Sequence, residues 1–325
     1  MASTCRVAIV SDIHYASAAE QARGGDYESA CIRNPLLRFA VRMYRRFIWL
    51  NEPLQKNYLL DRFCDRVGQP DYLVANGDYS CDSKFIGVSD DAACQSAREC
   101  LARLRNKFPQ RLLANFGDHE LGKVSFFGGQ GGMRLASWHQ AQQLLGLFPF
   151  WQFTIGRYVL IGIASSLVAL PVFEPDTLPE ERPEWRRLRS AHLEDIRDAL
   201  GRLGAGQRVL LFCHDPTALP FLWDEPVVQQ NLSHVEQTII GHLHSGLVLW
   251  KSRWLAGMPR ITFLGHTAKR LSTALRSARH WKPFRVRLCP SLAGVELLKD
   301  GGFLTAELDP EAQVPAQFHR HHLPR

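Results

Sequence analysis

Near its N-terminus the chain reads Cys5-Arg6-Val7-Ala8-Ile9-Val10-Ser11-Asp12-Ile13-His14, an apolar run followed by two side chains that commonly bind metals. A continuous apolar run of this length predicts a strand that is buried on both faces. Side chains alternate along an extended chain, so we expect Asp12 and His14 to point the same way from the end of this strand. Ligands collect at the carboxyl ends of strands in open α/β sheets. The pair is therefore half of a candidate metal site, although one Asp-x-His pair alone is common by chance.

The composition is ordinary for a soluble globular protein. The chain has 325 residues, of which 46% are hydrophobic and 22% charged, enough for one large α/β domain. The net charge of +7 favours an anionic partner, such as a phosphate ester, a nucleic acid or an acidic membrane surface. The eight cysteines form no C-x-x-C pair, which favours reduced thiols and a cytoplasmic protein. The longest apolar stretch, residues 158–173, is too short to span a bilayer.

Strand-like apolar runs that end in acidic or histidine side chains recur along the chain. The later ends are Gly77-Asp78 in residues 71–78, Gly117-Asp118-His119-Glu120 in residues 111–120, His214 in residues 208–216, and Gly241-His242-Leu243-His244 in residues 236–246. A lone histidine is more often a structural group than a ligand. Several strand ends of this kind in one chain are much harder to explain in that way, so we expect them to converge on one site.

Residues 35–50 predict an amphipathic helix between the first two of these strand ends. Apolar side chains recur at positions 36, 40, 43, 47 and 50, while four arginines share the other side, namely Arg38, Arg42, Arg45 and Arg46. A basic helix that also carries Trp and Phe can lie in a membrane interface. The alternative is a helix packed on the core through its apolar side, with a solvated arginine face. The sequence leaves both interpretations open.

The remaining pattern predicts a regular alternation of elements. Further helices are expected at residues 59–67, 89–107 and 184–203, a strand hairpin around Gly156-Arg157, a surface loop at 171–183 and a glycine-rich lid or spacer at 128–132. The lysine and Ser/Thr of a P-loop are missing from that glycine-rich segment. At the C-terminus we expect a closing hairpin over 293–308 that turns at residues 300–302, followed by a frayed tail at 319–322.

The five blocks, in this order, resemble those of the calcineurin-like metallophosphoesterases. That family carries Asp-x-His, Gly-Asp, Gly-Asn-His-Asp/Glu, a strand-end His and Gly-His-x-His, and the resemblance covers roughly residues 5–250. One position departs from the pattern, because Asp118 stands where the family usually has Asn. Both side chains offer an oxygen ligand, but the added negative charge of Asp118 should strengthen the binding of a divalent cation.

The resemblance also implies a role for each candidate site residue. One metal ion would be held by Asp12, His14, Asp78 and His244. The second would be held by Asp78, Asp118, His214 and His242, with Asp78 bridging. His119 would be catalytic and not a ligand: it would protonate the leaving oxygen or stabilise the phosphoryl charge. Two ions roughly 3.5–4 Å apart clamp a phosphoryl group and activate water for in-line attack. The mixed ligands suit Mn²⁺, Fe or Zn²⁺, and the extra carboxylate favours Mn²⁺.

The resemblance implies an α/β (α+β) fold, a four-layer double β-sandwich flanked by helices, with a helical insertion after the first strand. We expect a single domain over residues 1–325, in which the insertion at 27–68 is a candidate lid. A basic C-terminal extension at 250–325 would pack on the same domain. From Gln237 to Val295 there is no Asp or Glu but there are ten Lys and Arg. This one-sided charge indicates either capture of an anionic substrate or a solvated basic face.

The sequence favours a phosphodiester or a pyrophosphate as the substrate. The leading hypothesis is a lipid-linked nucleotide-sugar pyrophosphate, because the chain is compatible with the bacterial UDP-2,3-diacylglucosamine pyrophosphohydrolases of lipid A synthesis. That function predicts peripheral contact with acidic lipid on the inner membrane face. The alternatives are a nuclease, a small-molecule phosphomonoesterase or phosphodiesterase, and a non-catalytic binding scaffold, against which the intact ligand set argues. We infer no obligate protein partner.

Overall fold

The computed structural model describes residues 4–30, 32–125, 130–257, 276 and 278–324. These residues form two five-stranded sheets with helices around them. The strands are β1 (Cys5–Val10), β2 (Tyr72–Ala75), β3 (Leu112–Ala114), β4 (Phe150–Ile155), β5 (Tyr158–Ile163), β6 (Arg208–Cys213), β7 (Val235–Ile240), β8 (Val286–Leu288), β9 (Gly302–Leu308) and β10 (Gln317–His322). Each strand that the sequence predicts before a candidate ligand is present, and the apolar runs of β1, β2, β6 and β7 are largely buried, whereas β3 is half-buried.

The helices lie between the strands. They are α1 (Ala18–Gln21), α2 (Pro35–Tyr44), α3 (Tyr58–Arg66), α4 (Asp91–Lys107), α5 (Asp118–Leu121), α6 (Leu135–Gln143), α7 (Ser165–Val168), α8 (Leu170–Phe173), α9 (Arg182–Gly201), α10 (Leu219–Trp223), α11 (Pro226–Asn231) and α12 (Gly246–Trp254). A π-helical turn, Arg45–Trp49, continues α2. Short 3₁₀ turns span Pro53–Gln55, Gly87–Ser89, Glu174–Asp176, Pro179–Glu181, Pro216–Ala218, Leu232–His234 and Ala278–Trp281. The surface loop expected at 171–183 is therefore largely helical turns.

The strand order places the carboxyl ends of the parallel strands along one edge of each sheet. The first sheet has the order β10-β9-β1-β2-β3, and β1, β2 and β3 are parallel. The second has the order β4-β5-β6-β7-β8, in which β5 to β8 are parallel and β4 forms the expected antiparallel hairpin with β5. The residues that follow β1, β2, β3, β6 and β7 include all the candidate ligands.

Alternate side chains of β1 show how the layers form. Val7 and Ile9 pack between the two sheets, against Leu160 and Phe212 of the other sheet. Ala8 and Val10 point the opposite way and belong to the cluster under α3 and α4. A third cluster buries the outer face of the second sheet under α9. The molecule therefore has the expected four layers, with helices outside and two sheets inside, and the α/β fold prediction is confirmed.

The C-terminal prediction is wrong in its boundaries. The closing hairpin joins β9 to β10, and β9 also pairs with β1, so residues 319–322 belong to an edge strand and not to a frayed tail. Residues 300–302 lie before this hairpin. The reason is that an edge strand is held by backbone hydrogen bonds and needs few apolar side chains, so β10 has no apolar run that the sequence could show. The basic run at 269–287 and the glycine-rich segment at 128–132 fall partly outside the described residues.

The predicted helix at 35–50 is present, but its orientation differs from the packed alternative. Leu36, Phe39 and Phe47 are 79%, 63% and 59% exposed. Arg45 instead turns inward and pairs with Glu28. The helix thus presents apolar side chains outward, because an ion pair and not a hydrophobic contact fixes part of its inner side. Among the described residues, no helix is long and apolar enough to cross a bilayer.

Candidate metal centre

The candidate ligands lie in tight turns just after the strands. Five of them have a left-handed backbone, with φ between 51° and 60°: Asp12, His14, Asp78, His242 and His244. Non-glycine residues rarely adopt this conformation, which costs on the order of 1–3 kcal/mol when it is imposed by the surroundings. The sequence predicted that side-chain alternation along an extended strand orients Asp12 and His14, and this prediction is wrong. β1 ends at Val10, and left-handed turns aim both side chains into the site.

The glycines of the sequence blocks are required by close contacts at these turns. A Cβ atom on Gly117 would lie 2.1 Å from Oδ1 of Asp78. One on Gly241 would lie 2.1 Å from Oγ of Ser11 and 2.6 Å from Oδ2 of Asp12. Either carboxylate would have to move to make room. The glycine in each block is thus part of the site, because it lets a neighbouring loop approach the ligands.

The first ligand group consists of Asp78, Asp118, His214 and His242, whose ligand atoms lie within 4.8 Å of one another. Nε2 of His214 lies 3.2 Å from carboxylate oxygens of both Asp78 and Asp118. Nδ1 of His242 lies 2.9 Å from Oδ1 of Asp118. Metal ligands at about 2.1 Å from an ion stand roughly 3.0–3.4 Å apart in octahedral or tetrahedral geometry. These spacings suit one cation.

The second ligand group consists of Asp12, His14 and His244. Nε2 of His244 lies 3.4 Å from Nε2 of His14 and 3.4 Å from Oδ1 of Asp12. The ring nitrogen Nδ1 of His14 faces the carbonyl oxygen of Ser80 at 3.3 Å, which leaves Nε2 for the site. An imidazole oriented by a backbone carbonyl is the usual arrangement of a metal-binding histidine.

Asp78 connects the two groups. It belongs to the first group and also forms a third cluster with His14 and His119. Within the described parts of the chain, Nε2 of His214 is buried and makes no hydrogen bond, although two carboxylates lie beside it. A buried nitrogen without a hydrogen bond is costly unless it has another partner. The donor set, carboxylates and imidazoles around two adjoining centres, therefore fits a pair of divalent cations.

In the absence of a metal ion, the negative carboxylates of the first ligand group favour the protonated forms of its histidines. Burial alone lowers the pKa of His242, but the Asp118 carboxylate outweighs burial and raises that pKa to about 10. Asp78 and Asp118 likewise outweigh burial and raise the pKa of His214 well above its ordinary value. A metal needs the deprotonated nitrogen, so a cation in this group would replace these protons as the partner of the carboxylates.

The histidines nearer the second group are held neutral. Burial lowers the pKa of His14, and burial together with the neighbouring His14 lowers that of His244 well below its usual range. His119 is also buried, and burial, followed by the charge of Lys123, lowers its pKa. Nδ1 of His119 faces the Ser80 carbonyl at 2.8 Å, and its Nε2 lies 3.7 Å from Asp78. His119 thus points a neutral nitrogen at the site from its edge.

The sequence analysis quoted Glu120 in its block but gave it no role. Its carboxylate accepts hydrogen bonds from the backbone N–H of Asp78 (3.0 Å), Tyr79 (2.8 Å) and Gly117 (2.8 Å). Glu120 therefore connects two turns, the one that contains Asp78 and the one that precedes Asp118. Burial, followed by the charge of Asp78, raises the pKa of Glu120 to about 8. The signal was its position directly after His119, since an acidic residue there reaches back to its own loop.

The two ligand groups open into a cavity of about 780 Å³. Its wall is mainly aromatic and aliphatic and includes Tyr27, Trp49, Phe85, Met133, Phe173, Leu243 and Val248. The Trp49 ring lies 5.1 Å from that of His244, which joins the end of the helical insertion to the ligands. Two cationic side chains, Arg45 and Lys123, also line the wall. A cavity with a ligand-rich end and a wall that combines apolar with a few charged side chains suits a substrate with one anionic end and one apolar end.

A protein-family model and several solved structures match this chain. A model of the calcineurin-like phosphoesterase family matches residues 5–246. None of the curated proteins matches the chain. Among solved structures, a dimetal phosphatase from Danio rerio is 15% identical, with a TM-score of 0.46 over 98% of this chain and 97% of that one.

Two further solved structures are similar over different shares of the chain. A purple acid phosphatase from yellow lupin (Lupinus luteus) is 11% identical, with a TM-score of 0.36 over 75% of this chain and 38% of that one. A phosphopantetheinyl hydrolase from Mycobacterium tuberculosis is 15% identical, with a TM-score of 0.35 over 88% of this chain and 95% of that one.

Proposed function

Because this chain belongs to the calcineurin-like phosphoesterase family and is a metal-dependent hydrolase, we propose that it cleaves a phosphodiester or pyrophosphate bond in a lipid-linked substrate. The leading candidate is a nucleotide-sugar pyrophosphate of the UDP-2,3-diacylglucosamine type. The observation that carries the proposal is the single cavity that joins the metal ligands to an apolar wall. A simple phosphomonoester would use only the polar end of that cavity.

In this proposal the side chains divide into two ligand sets with a shared member. Asp12, His14 and His244, together with the neighbouring Asp78, would hold one ion, and Asp78, Asp118, His214 and His242 would hold the other. Bound divalent ions supply Lewis acidity toward the phosphoryl oxygens and lower the pKa of water. Mn²⁺ is the proposed metal, with Fe and Zn²⁺ as alternatives, since the set combines three carboxylates with imidazoles.

His119 acts on the leaving group. Its ring is fixed by the Ser80 carbonyl, and its free nitrogen faces the cavity beside Asp78. Because Nδ1–H donates to the Ser80 carbonyl, Nε2 must first take up a proton from water; the protonated ring then donates that proton to the leaving oxygen, or a hydrogen bond to the phosphoryl charge, as the bond to phosphorus breaks. The backbone N–H of His119 donates to Oδ1 of Asp78 at 3.1 Å, which holds the acid and the shared ligand in one geometry.

Peripheral membrane contact accounts for the outward apolar face of the insertion. Phe47 and Ile48 are exposed in the π-helical turn that ends at Trp49, and Trp49 lines the cavity. Exposed Leu297 continues this face, since its N–H donates to the Ile48 carbonyl at 3.1 Å. Arginines on the same helix favour acidic headgroups. The proposal thus places the protein on the cytoplasmic face of the inner membrane, with the cavity next to the lipid.

The proposed substrate class is tested by a turnover screen of the full chain with and without Mn²⁺. We expect UDP-2,3-diacylglucosamine in detergent micelles to be cleaved with a kcat/KM at least about 100-fold above that of UDP-glucose, which lacks the acyl chains. Bis(4-nitrophenyl) phosphate and single-stranded DNA complete the panel. Preference for DNA would support the nuclease alternative instead, and no Mn²⁺-dependent turnover of any substrate would overturn the proposal.

Membrane contact predicts a loss of vesicle binding when the outward face becomes polar. The triple variant Leu36→Ser/Phe39→Ser/Phe47→Ser should bind phosphatidylglycerol vesicles at least about tenfold more weakly in a sedimentation assay, because each side chain loses an apolar contact with lipid. Its turnover of bis(4-nitrophenyl) phosphate should stay unchanged. A matched control is Leu144→Ser/Phe148→Ser, which removes two equally exposed apolar side chains outside the cavity. Equal losses for both variants would contradict the proposed face.

A further inference from the structure

Two cations and one carboxylate lie together in the cavity wall beside the metal ligands. Arg45 forms an ion pair with Glu28, and Nζ of Lys123 lies 3.7 Å from the same carboxylate. All three side chains are largely buried, with exposed fractions of 13%, 22% and 15% for Arg45, Glu28 and Lys123. Asp176 and Asp215 also line the cavity, so the feature of interest is local: Arg45 and Lys123 share the single carboxylate of Glu28.

Lys123 is anchored by hydrogen bonds to the segment that also holds the His119 ring. Its Nζ donates to the carbonyl of Cys81 at 2.9 Å, while the carbonyl of the preceding residue, Ser80, holds the His119 ring. The backbone N–H of Lys123 donates to the buried carboxylate of Asp82 at 3.0 Å. Consecutive residues are only about 3.8 Å apart along the chain. The ammonium group and the His119 ring are therefore anchored on the carbonyls of two adjacent residues.

The environment of the two cations is arranged for a further anionic partner. The Lys123 ammonium lies 5.7 Å and 5.5 Å from the rings of Tyr27 and Phe85, and Arg45 lies 5.9 Å from the ring of Tyr27. An ammonium has three donors, and among the described residues the contacts of Lys123 account for two of them. Two largely buried cations that share one carboxylate and line the cavity beside the metal ligands are placed to bind an anionic group of a ligand.

We infer that Lys123 and Arg45 bind a second anionic group of the substrate, the phosphoryl group that is not attacked. This inference rests on the proposed function and narrows its substrate class to diphosphate diesters over monophosphate diesters. In such a substrate the second phosphoryl group is part of the leaving group, on the side of the scissile bond where His119 stands. Lys123 and Arg45 then bind the charge that the leaving group carries away, and neither takes part in a covalent step.

The test compares one substrate that has the second phosphoryl group with one that lacks it. Lys123→Met and Arg45→Met remove a charge while keeping most of the side-chain length. Each should lower kcat/KM for UDP-2,3-diacylglucosamine roughly 10- to 100-fold, a loss at least about tenfold larger than the loss for bis(4-nitrophenyl) phosphate. Calorimetric titration supplies a readout besides turnover: wild type should bind methylenediphosphonate more tightly than inorganic phosphate, and each variant should lose this difference. Metal content is measured before and after each titration.

Arg42→Met is the matched control, because Arg42 lies on the same helix and pairs with Asp26 but does not line the cavity. If the ion pairs only attach the insertion to the core, all three variants should affect both substrates alike, and the inference is overturned. Lys123→Arg and Arg45→Lys, which keep the charge, should recover most of the lost binding even if the Met variants fold poorly. Wild-type binding selectivity without turnover would contradict the proposed function and leave this inference standing. Turnover by the wild type, together with unchanged kcat/KM and binding in the Met variants, would support the proposed function and overturn this inference.

Discussion

Asp78→Ala should remove bound metal from both ligand groups and lower kcat/KM about a thousandfold or more, since both ions are needed to clamp the phosphoryl group. Asp78 belongs to the first ligand group and also clusters with His14, a member of the second group, and with His119. The measurement is metal content by mass spectrometry after dialysis, together with turnover in Mn²⁺. We expect close to two ions per chain in wild type and less than one in the variant.

Asp78→Asn is the control for the loss of volume in this variant. An amide keeps the shape of the carboxylate and an oxygen that can accept the His119 N–H. It should retain the fold while still weakening metal binding, because the bridging charge is gone. Loss of a single ion in Asp78→Ala would show that Asp78 serves one centre only and would contradict the bridging role.

His119→Ala should lower kcat roughly 100- to 10,000-fold while the metal content stays at the wild-type level, because a positioned proton donor contributes about that much. Its Nε2 lies 3.7 Å from Asp78, whereas the nearest nitrogen–carboxylate pairs in the two ligand groups lie 2.9–3.4 Å apart. The metal content of the variant therefore decides whether His119 is a donor or a ligand. The loss should be smallest for substrates with an acidic leaving group such as 4-nitrophenol, which departs without protonation.

A second buried histidine provides the control for this experiment. His192 lies outside the cavity, and its Nε2 accepts the backbone N–H of Ala164 at 3.2 Å. His192→Ala should destabilise the fold without a specific effect on kcat or on leaving-group dependence. Loss of metal from His119→Ala would reassign His119 as a ligand, and full activity would remove it from the mechanism.

Asp118 shows how a departure from the family pattern is accommodated. One oxygen, Oδ1, lies near both His214 and His242, at 3.2 Å and 2.9 Å. An amide oxygen could take the same position, so the geometry does not require the charge. The charge instead sets the electrostatics, since it is the main reason that the pKa of His242 is raised despite burial. The substitution therefore changes the affinity of the centre for cations more than its shape.

Much of the fold could be predicted because it depends on residues that are adjacent in the sequence. The strand before each ligand block is an apolar run, and α3, α4 and α9 appear within two residues of their predicted starts. The C-terminal hairpin could not be predicted, since β10 is a polar edge strand held by backbone hydrogen bonds to β9. The sequence also could not show that α2 presents apolar side chains outward. Arg45 and Glu28 pair across 17 positions, and no local periodicity reports such a contact.

The sequence by itself determined which side chains could bind metal, their order along the chain and the strands that carry them. These are properties of residue type and short-range spacing. The family resemblance implied which donors share a centre, but only the tertiary structure brings those donors together, through contacts such as His242 with Asp118, 124 positions apart. The tertiary structure also decided the left-handed turns that aim the ligands and the placement of Lys123 and Arg45 in the cavity wall. Each of those requires a backbone shape or a charge balance that only the packing of distant loops can impose.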